Sequence, residues 1–218
     1  MAANYKVAPP VVVFDLDGTL TKSDISVPYL RFTAGKARGW LALAWAAAWA
    51  LPDLGTAILA EYRGGGDRLG GARGRWEGLL HERVVGRTLR GRPRSELEAA
   101  AERFAHSHLC DALRGDAKDR LRQHLDEGHR LVLASASLAI CLEPLRAILG
   151  FDAVLGTRLQ FHNGVATGRF EGLPCWGDEK LRRVREILGP DEEILHAYGD
   201  SRGDRAVLGA ARNSTVVR

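Results

Sequence analysis

Cysteine is scarce and poorly placed for structural duty: Cys110, Cys141 and Cys175 lie far apart, are odd in number and form no C-x-x-C pair. That pattern excludes a disulfide framework and a thiolate zinc site, leaving buried or idle thiols. Long apolar runs are also missing. No stretch reaches the roughly 18 to 20 apolar residues that cross a bilayer as a helix. The opening MAANYKVAPP lacks an apolar segment of signal-peptide length, so the expected location is cytoplasmic. Aromatic residues are not interleaved with the basic ones, which removes the stacking platform of a single-strand nucleic-acid binder. There is no internal repeat. What remains is a chain of 218 residues with 45% hydrophobic content. That is enough to bury a full core, as one large domain or one domain with an insert.

Charge is unevenly spread. Between Glu61 and Arg94 nine arginines face four acids, against a net charge of +4 for the whole chain. Such a block can steer an anionic substrate, a phospholipid surface or nucleic acid, or it can be a solvated helical surface. Just before it, WLALAWAAAWAL (Trp40 to Leu51) is apolar on every helical face and is closed by Pro52. Twelve residues are too few to span a membrane, so this segment is expected either to be a core helix of a small bundle or to face lipid or an acyl chain. Between Ser95 and Glu98 the spacing Ser-x-x-Glu resembles a capping box that opens a helix.

The strongest stretch is VVVFDLDGTL, Val11 to Leu20. A β-branched apolar run cut off by Gly18 predicts a buried strand that delivers its last side chains to a loop. In an open α/β sheet that edge is where ligands bind. Asp15 and Asp17, two positions apart, crowd one small space, a costly pairing unless a cation neutralises it or one acid keeps a proton. From Thr21 to about Gly115 the pattern is helical and loop-like. After Asp116 it changes: AKDRLRQHLDEG predicts an amphipathic helix, HRLVLASAS a strand, and LQFHNGVATGRF a hairpin turning at Asn163-Gly164. GDEKLRRVREIL predicts a helix, ILHAYGDS a strand, RGDRAVLGAA a helix and TVV a short last strand. Strands alternating with helices on both sides of a helical segment predict an α/β fold, a Rossmann-like parallel sheet with an inserted all-helical cap. The expected core is residues 1–21 and 116–218, with the cap at 22–115.

Four predicted strand ends or helix starts carry polar groups suited to phosphoryl transfer: Asp15-Leu16-Asp17-Gly18-Thr19, Ser135, Lys180, and the run from Gly199 to Asp204. A phosphate ester needs a nucleophile, an acid for the leaving oxygen, and donors or positive charge around the non-bridging oxygens.

In that order, DLDGTL, Ser135, Lys180 and GDSRGD resemble the four motifs of the haloacid dehalogenase-like superfamily, and the likeness extends over nearly the whole chain outside the insert. The resemblance implies a phosphatase in which Asp15 attacks phosphorus to form an aspartyl-phosphate, while Asp17 serves as general acid and then general base. It also implies Mg²⁺, held by Asp15, the backbone carbonyl of Asp17 and Asp200, with Asp204 orienting Lys180 or a metal-bound water. Ser135 and the Gly18 and Thr19 amides would hold phosphoryl oxygens, and Lys180 would offset charge on nucleophile and phosphate. Dehalogenases of the superfamily lack the second acid, so Asp17 favours phosphoryl chemistry.

A helical insert between the first two motifs resembles the phosphoserine-phosphatase-like branch. There Asp24 corresponds to an acid that binds the substrate amino group, and Arg83 falls near an arginine for its carboxylate; Asp24 is equally a candidate helix cap. The apolar insert and LPCWGDEK look more like bacterial members that dephosphorylate phosphatidylglycerophosphate. The expected substrate is therefore a small phosphorylated metabolite or a lipid phosphate, with peripheral membrane contact through the cap as an option and no nucleic acid. The non-enzyme alternative is a membrane-surface or protein-binding module on the same fold.

Overall fold

In a computed structural model the described residues are 9–34, 82–189 and 192–218. The apolar Trp40 to Leu51 segment and most of the arginine block lie outside them. Residue contacts divide the chain into two compact units. The first comprises 1–26, 101–158 and 172–218, and the second 27–100 and 159–171.

The first unit is built on a parallel five-stranded sheet in the order β3-β2-β1-β6-β7. Its strands are β1 (Val11–Phe14), β2 (Arg130–Leu138), β3 (Ala153–Thr157), β6 (Ile194–Gly199) and β7 (Asn213–Val216). β1 is central, and its four residues are all at most 2% exposed. Full burial on both faces explains why it reads as a continuous apolar run rather than an alternating one. Val11 and Val13 pack with Val184, Leu188 and Val207 from the helices that follow Gly177 and Asp204. Phe14 points to the opposite face, where it stacks on Tyr198 at 4.6 Å and meets His124 and Phe151 edge-on. Helices thus cover both faces: Gly115–Asp126 on one side, Asp178–Ile187 and Arg205–Ala210 on the other. Each such buried valine or phenylalanine contributes about 1.5–3 kcal/mol relative to exposure.

The second unit contains the helices Ser26–Ala34 (from Val27), 82–89 and Arg94–Phe104 (to Ala100). Among its described residues Tyr29, Val85, Leu89 and Leu97 are fully buried, and the Tyr29 hydroxyl donates to the Leu97 carbonyl. The Arg94–Phe104 helix starts before Ser95, so Ser95 occupies its first turn and is not the cap that its spacing to Glu98 suggests. This unit also takes in the antiparallel hairpin of β4 (Leu159–His162) and β5 (Val165–Phe170), which the sequence pattern assigns to the core segment 116–218. The cause is main-chain pairing: the Gly91 and Arg94 amides donate to Ala166 and Gly164, and the Ala166 amide donates to Arg92. Gly86 permits a close crossing, since a Cβ there would stand 2.4 Å from the Gly168 carbonyl oxygen. The unit is therefore helical plus a hairpin, and its limits, 27–100 with 159–171, differ from the 22–115 segment.

No helix among the described residues is long and apolar enough to cross a membrane. All three cysteines are free, and burial pushes the Cys175 thiol up to about 11.

Candidate active site

The motif residues gather at the C-terminal ends of three adjacent strands. β1 ends at Phe14, whose neighbours in register are Leu133 on β2 and Tyr198 on β6. Asp15 follows Phe14 directly and its amide donates to the Tyr198 carbonyl. Ser135 is two residues past Leu133, and Asp200 two past Tyr198, so the three reach the same sheet edge. The loop after Asp15 then turns back, with the Thr19, Leu20 and Thr21 amides all donating to the Leu16 carbonyl.

Gly18 sits in this turn at φ +80°. A Cβ there would lie 2.0 Å from Asp200 Oδ2, so only glycine lets the first motif close against the fourth. This is the physical reason for DGT in this chain.

Lys180 lies in the first turn of the Asp178–Ile187 helix and is 3% exposed. Its Nζ donates to Asp15 Oδ1 at 2.8 Å and to Asp204 Oδ1 at 2.5 Å. The helix is held in place at both sides of that lysine. The Gly177 amide donates to the Gly203 carbonyl. Buried Arg183 donates to Glu179 Oε1 and to the carbonyls of Gly156 and Leu173. Asp204 is fixed in turn by a capping box with Ser201, its Oδ2 accepting from the Ser201 hydroxyl and amide and from the Asp200 amide. Burial opposes the Lys180 ammonium, but the Asp15 and Asp204 charges outweigh it and hold its pKa above the ordinary lysine value.

The two acids of the first motif share one loop yet have different partners. Asp15 meets Lys180. Asp17 Oδ1 accepts from the Ile25 amide at 2.8 Å, and its Oδ2 from the Ser137 hydroxyl at 2.6 Å and the Ser135 hydroxyl at 3.3 Å. Burial pushes Asp15 up to about 7, against Lys180 and with help from the Asp204 and Asp17 charges. Burial, then the Asp24 charge, push Asp17 up to about 6, against the hydrogen bonds from Ser137, Ile25 and Ser135. Asp200 is raised as well, by burial and by Asp204. An acid and a base with separated environments at one strand tip are what two-step proton chemistry needs.

Several expected roles look different in this geometry. The Thr19 amide is already donated to Leu16. Its hydroxyl, by contrast, is buried and has no hydrogen-bond partner. Ser135 Oγ accepts from the Ser137 amide while donating to Asp17. Asp24 Oδ1 accepts from the Ser26 amide two residues on, an Asx-type turn that leads into the Ser26–Ala34 helix. Arg83 lies in the second unit, where it lines a cavity of about 940 Å³ with Arg87, Arg90, Arg169, Gln160 and Thr167. Ser137 is a site residue that motif reading misses. Its signal is the alternation in LASAS, which puts Ser135 and Ser137 on the same face of β2.

Carboxylate oxygens of Asp15, Asp200 and Asp204 lie within 4.8 Å of one another. One ammonium cannot balance three clustered carboxylates, and all the donors are hard oxygens, so the residues present fit a divalent cation of the Mg²⁺ type.

A model of the family described as haloacid dehalogenase-like hydrolase matches residues 12–209. Protein CicA of Caulobacter vibrioides is 32% identical over 205 residues, 93% of this chain and 83% of that protein. A phosphoserine phosphatase of Archaeoglobus fulgidus is 33% identical over 146 residues, which is 63% of this chain and 40% of its own length. A solved structure of a Bordetella pertussis protein of unknown function aligns with a TM-score of 0.69 at 25% identity, covering 95% of this chain and 89% of that one. A structure of a phospho-aspartyl intermediate analogue of phosphoserine phosphatase aligns at 0.52 and 18% identity, covering 95% and 86%, a likeness of fold.

Proposed function

We propose, on the premise that the chain belongs to the haloacid dehalogenase-like hydrolase family, that it is a Mg²⁺-dependent phosphatase that hydrolyses a phosphate monoester through an aspartyl-phosphate. The observation that carries this is the buried Asp15–Lys180–Asp204 chain beside a separately bonded Asp17.

Asp15 is the nucleophile. Its Oδ1 is held by Lys180, which leaves Oδ2 to attack phosphorus in line with the leaving alkoxide. Asp17, with its pKa pushed up to about 6, gives its proton to the leaving oxygen. It then takes a proton from the water that cleaves the acyl phosphate, which returns Asp15 as a carboxylate and releases inorganic phosphate. Ser137 and the Ile25 amide keep that carboxyl aimed. Lys180 offsets negative charge on Asp15 and on the phosphoryl group, and Asp204 keeps the ammonium in place. Asp15, the Asp17 carbonyl and Asp200 would hold the cation, with Asp204 behind them. When bound, it supplies charge neutralisation for the phosphoryl oxygens.

The inserted segment acts as the substrate-selecting cap. Support comes from the arginine-lined cavity of the second unit, whose Arg83, Arg87, Arg90 and Arg169 suit an anionic group other than a phosphate monoester. Phosphoserine, with a carboxylate, and a lipid glycerophosphate, with a phosphodiester, both have one. The match to a phosphoserine phosphatase over 146 residues favours the former.

A panel of phosphoserine, phosphatidylglycerophosphate and sugar phosphates, assayed with Mg²⁺ and with chelator, tests the reading. Release of phosphate from one class, lost on chelation, is expected. Binding of the panel without turnover would favour the non-enzyme module instead.

A further inference from the structure

The end of the Gly115–Asp126 helix carries a second cluster of ligating side chains at the start of β2, at the opposite end of that strand from Ser135. The helix closes in a Schellman motif: the Gly128 amide donates to Leu125 and the His129 amide to His124, with Gly128 at φ +73°. In that motif the residue after the left-handed glycine folds back onto the last helical turn, and the two positions brought together usually make an apolar contact. Here both are histidine.

Their rings meet through the same nitrogen. His124 Nδ1 and His129 Nδ1 are 2.9 Å apart, and Glu127 Oε2 lies 3.3 Å from the latter and 3.8 Å from the former. Zinc-type bonds of about 2.0–2.1 Å at tetrahedral angles separate ligand atoms by about 3.3 Å. The three observed edges bracket that value, so shifts of a few tenths of an ångström would complete one face of a tetrahedron.

The surrounding contacts orient each ligand. His124 Nε2 is 2.9 Å from the Tyr198 hydroxyl, so an Nε2–H donated there leaves Nδ1 with its lone pair facing the cluster. Metal-bound histidines are commonly held by such an outer hydrogen bond on the other nitrogen. Glu127 Oε1 accepts from Gln123 Nε2 at 2.9 Å, which turns Oε2 toward the rings. Both histidine side chains are largely buried, at 9% and 12% exposure, whereas Glu127 is 45% exposed. A fourth position can therefore be reached from solvent.

We propose that His124, Glu127 and His129 form a binding site for a borderline transition-metal ion of the Zn²⁺ class, separate from the carboxylate site for the hard catalytic cation. Two imidazoles and one carboxylate select such an ion over Mg²⁺. Its position, tying the helix end to the strand beside β1, makes it a stabilising site of the first unit. Without metal, one imidazole N–H donates to the other ring instead.

The test uses the metal-stripped full chain titrated with Co²⁺ under excess Mg²⁺. Expected are tetrahedral visible bands saturating at one equivalent, and a higher melting temperature when Zn²⁺ is added. His129→Ala should abolish the bands and the Zn²⁺-dependent shift while keeping a native circular dichroism spectrum. Glu127→Gln should weaken Co²⁺ binding by at least about 10-fold. Absence of tetrahedral bands in the wild type, or bands that persist in His129→Ala, would overturn the proposal. Both readouts are independent of phosphatase activity.

Discussion

The strand-tip site of the first unit and the arginine-lined cavity of the second are constrained to different degrees. At the strand tip, backbone and side chain are locked together: Gly18 admits no Cβ against Asp200, Lys180 is 3% exposed, and Asp204 is bonded through both oxygens. In the cavity, Arg83, Arg87, Arg90 and Arg169 are exposed side chains around open space. The first arrangement is suited to one chemistry, because electrostatic stabilisation depends on groups that need not reorganise. The second, lined by exposed guanidinium groups, is suited to anions of more than one shape.

The comparison can be broken at its strongest point first. Asp15→Asn should lower kcat by at least about 10³-fold with the fold intact, since it removes the nucleophile. Asp17→Asn should cost about 10²–10⁴-fold, because it removes the proton carrier alone. Gly18→Ala should cost about 10²-fold through displacement of Asp200, seen as lost kcat in a protein that still melts cooperatively. If Gly18→Ala were harmless, the close packing of the two motifs would have no catalytic role.

A pH experiment sharpens the same contrast. Asp15 and Asp17 are raised to about 7 and about 6 from an ordinary 3.8. Their protonated forms are favoured in the folded state. Their contribution to stability is therefore fully present below about pH 4 and lost as pH rises through 6 to 7. Metal-free protein should lose stability across that window in denaturant titrations, and Mg²⁺ should restore it at neutral pH. An Asp15→Asn, Asp17→Asn double variant should flatten the curve. The smallest effect belongs to the cavity: Arg90→Ala with Arg169→Ala should raise KM by up to about 10-fold and leave kcat unchanged.

Much of the site can be read in the sequence, because a buried parallel strand needs β-branched residues and its end needs a glycine. That made Val11 to Leu20 conspicuous. Lys180 and Ser135 were legible only through their order among the motifs, since a lone lysine or serine carries no pattern. Ser137 carries only its alternation with Ser135, which belongs to no motif. The hairpin's membership of the second unit has no side-chain signature, because main-chain bonds from Gly91, Arg94 and Ala166 create it. The meeting of His124 and His129 likewise depends on a left-handed Gly128, which pattern reading takes only as a helix stop.

The most direct test of the account is to quench the protein with acid during turnover of a phosphorylated substrate and map the label. The account predicts one acid-stable, hydroxylamine-labile phosphoryl group on Asp15, absent from Asp15→Asn. A turning-over protein that never carries the label, or carries it on another residue, would contradict it.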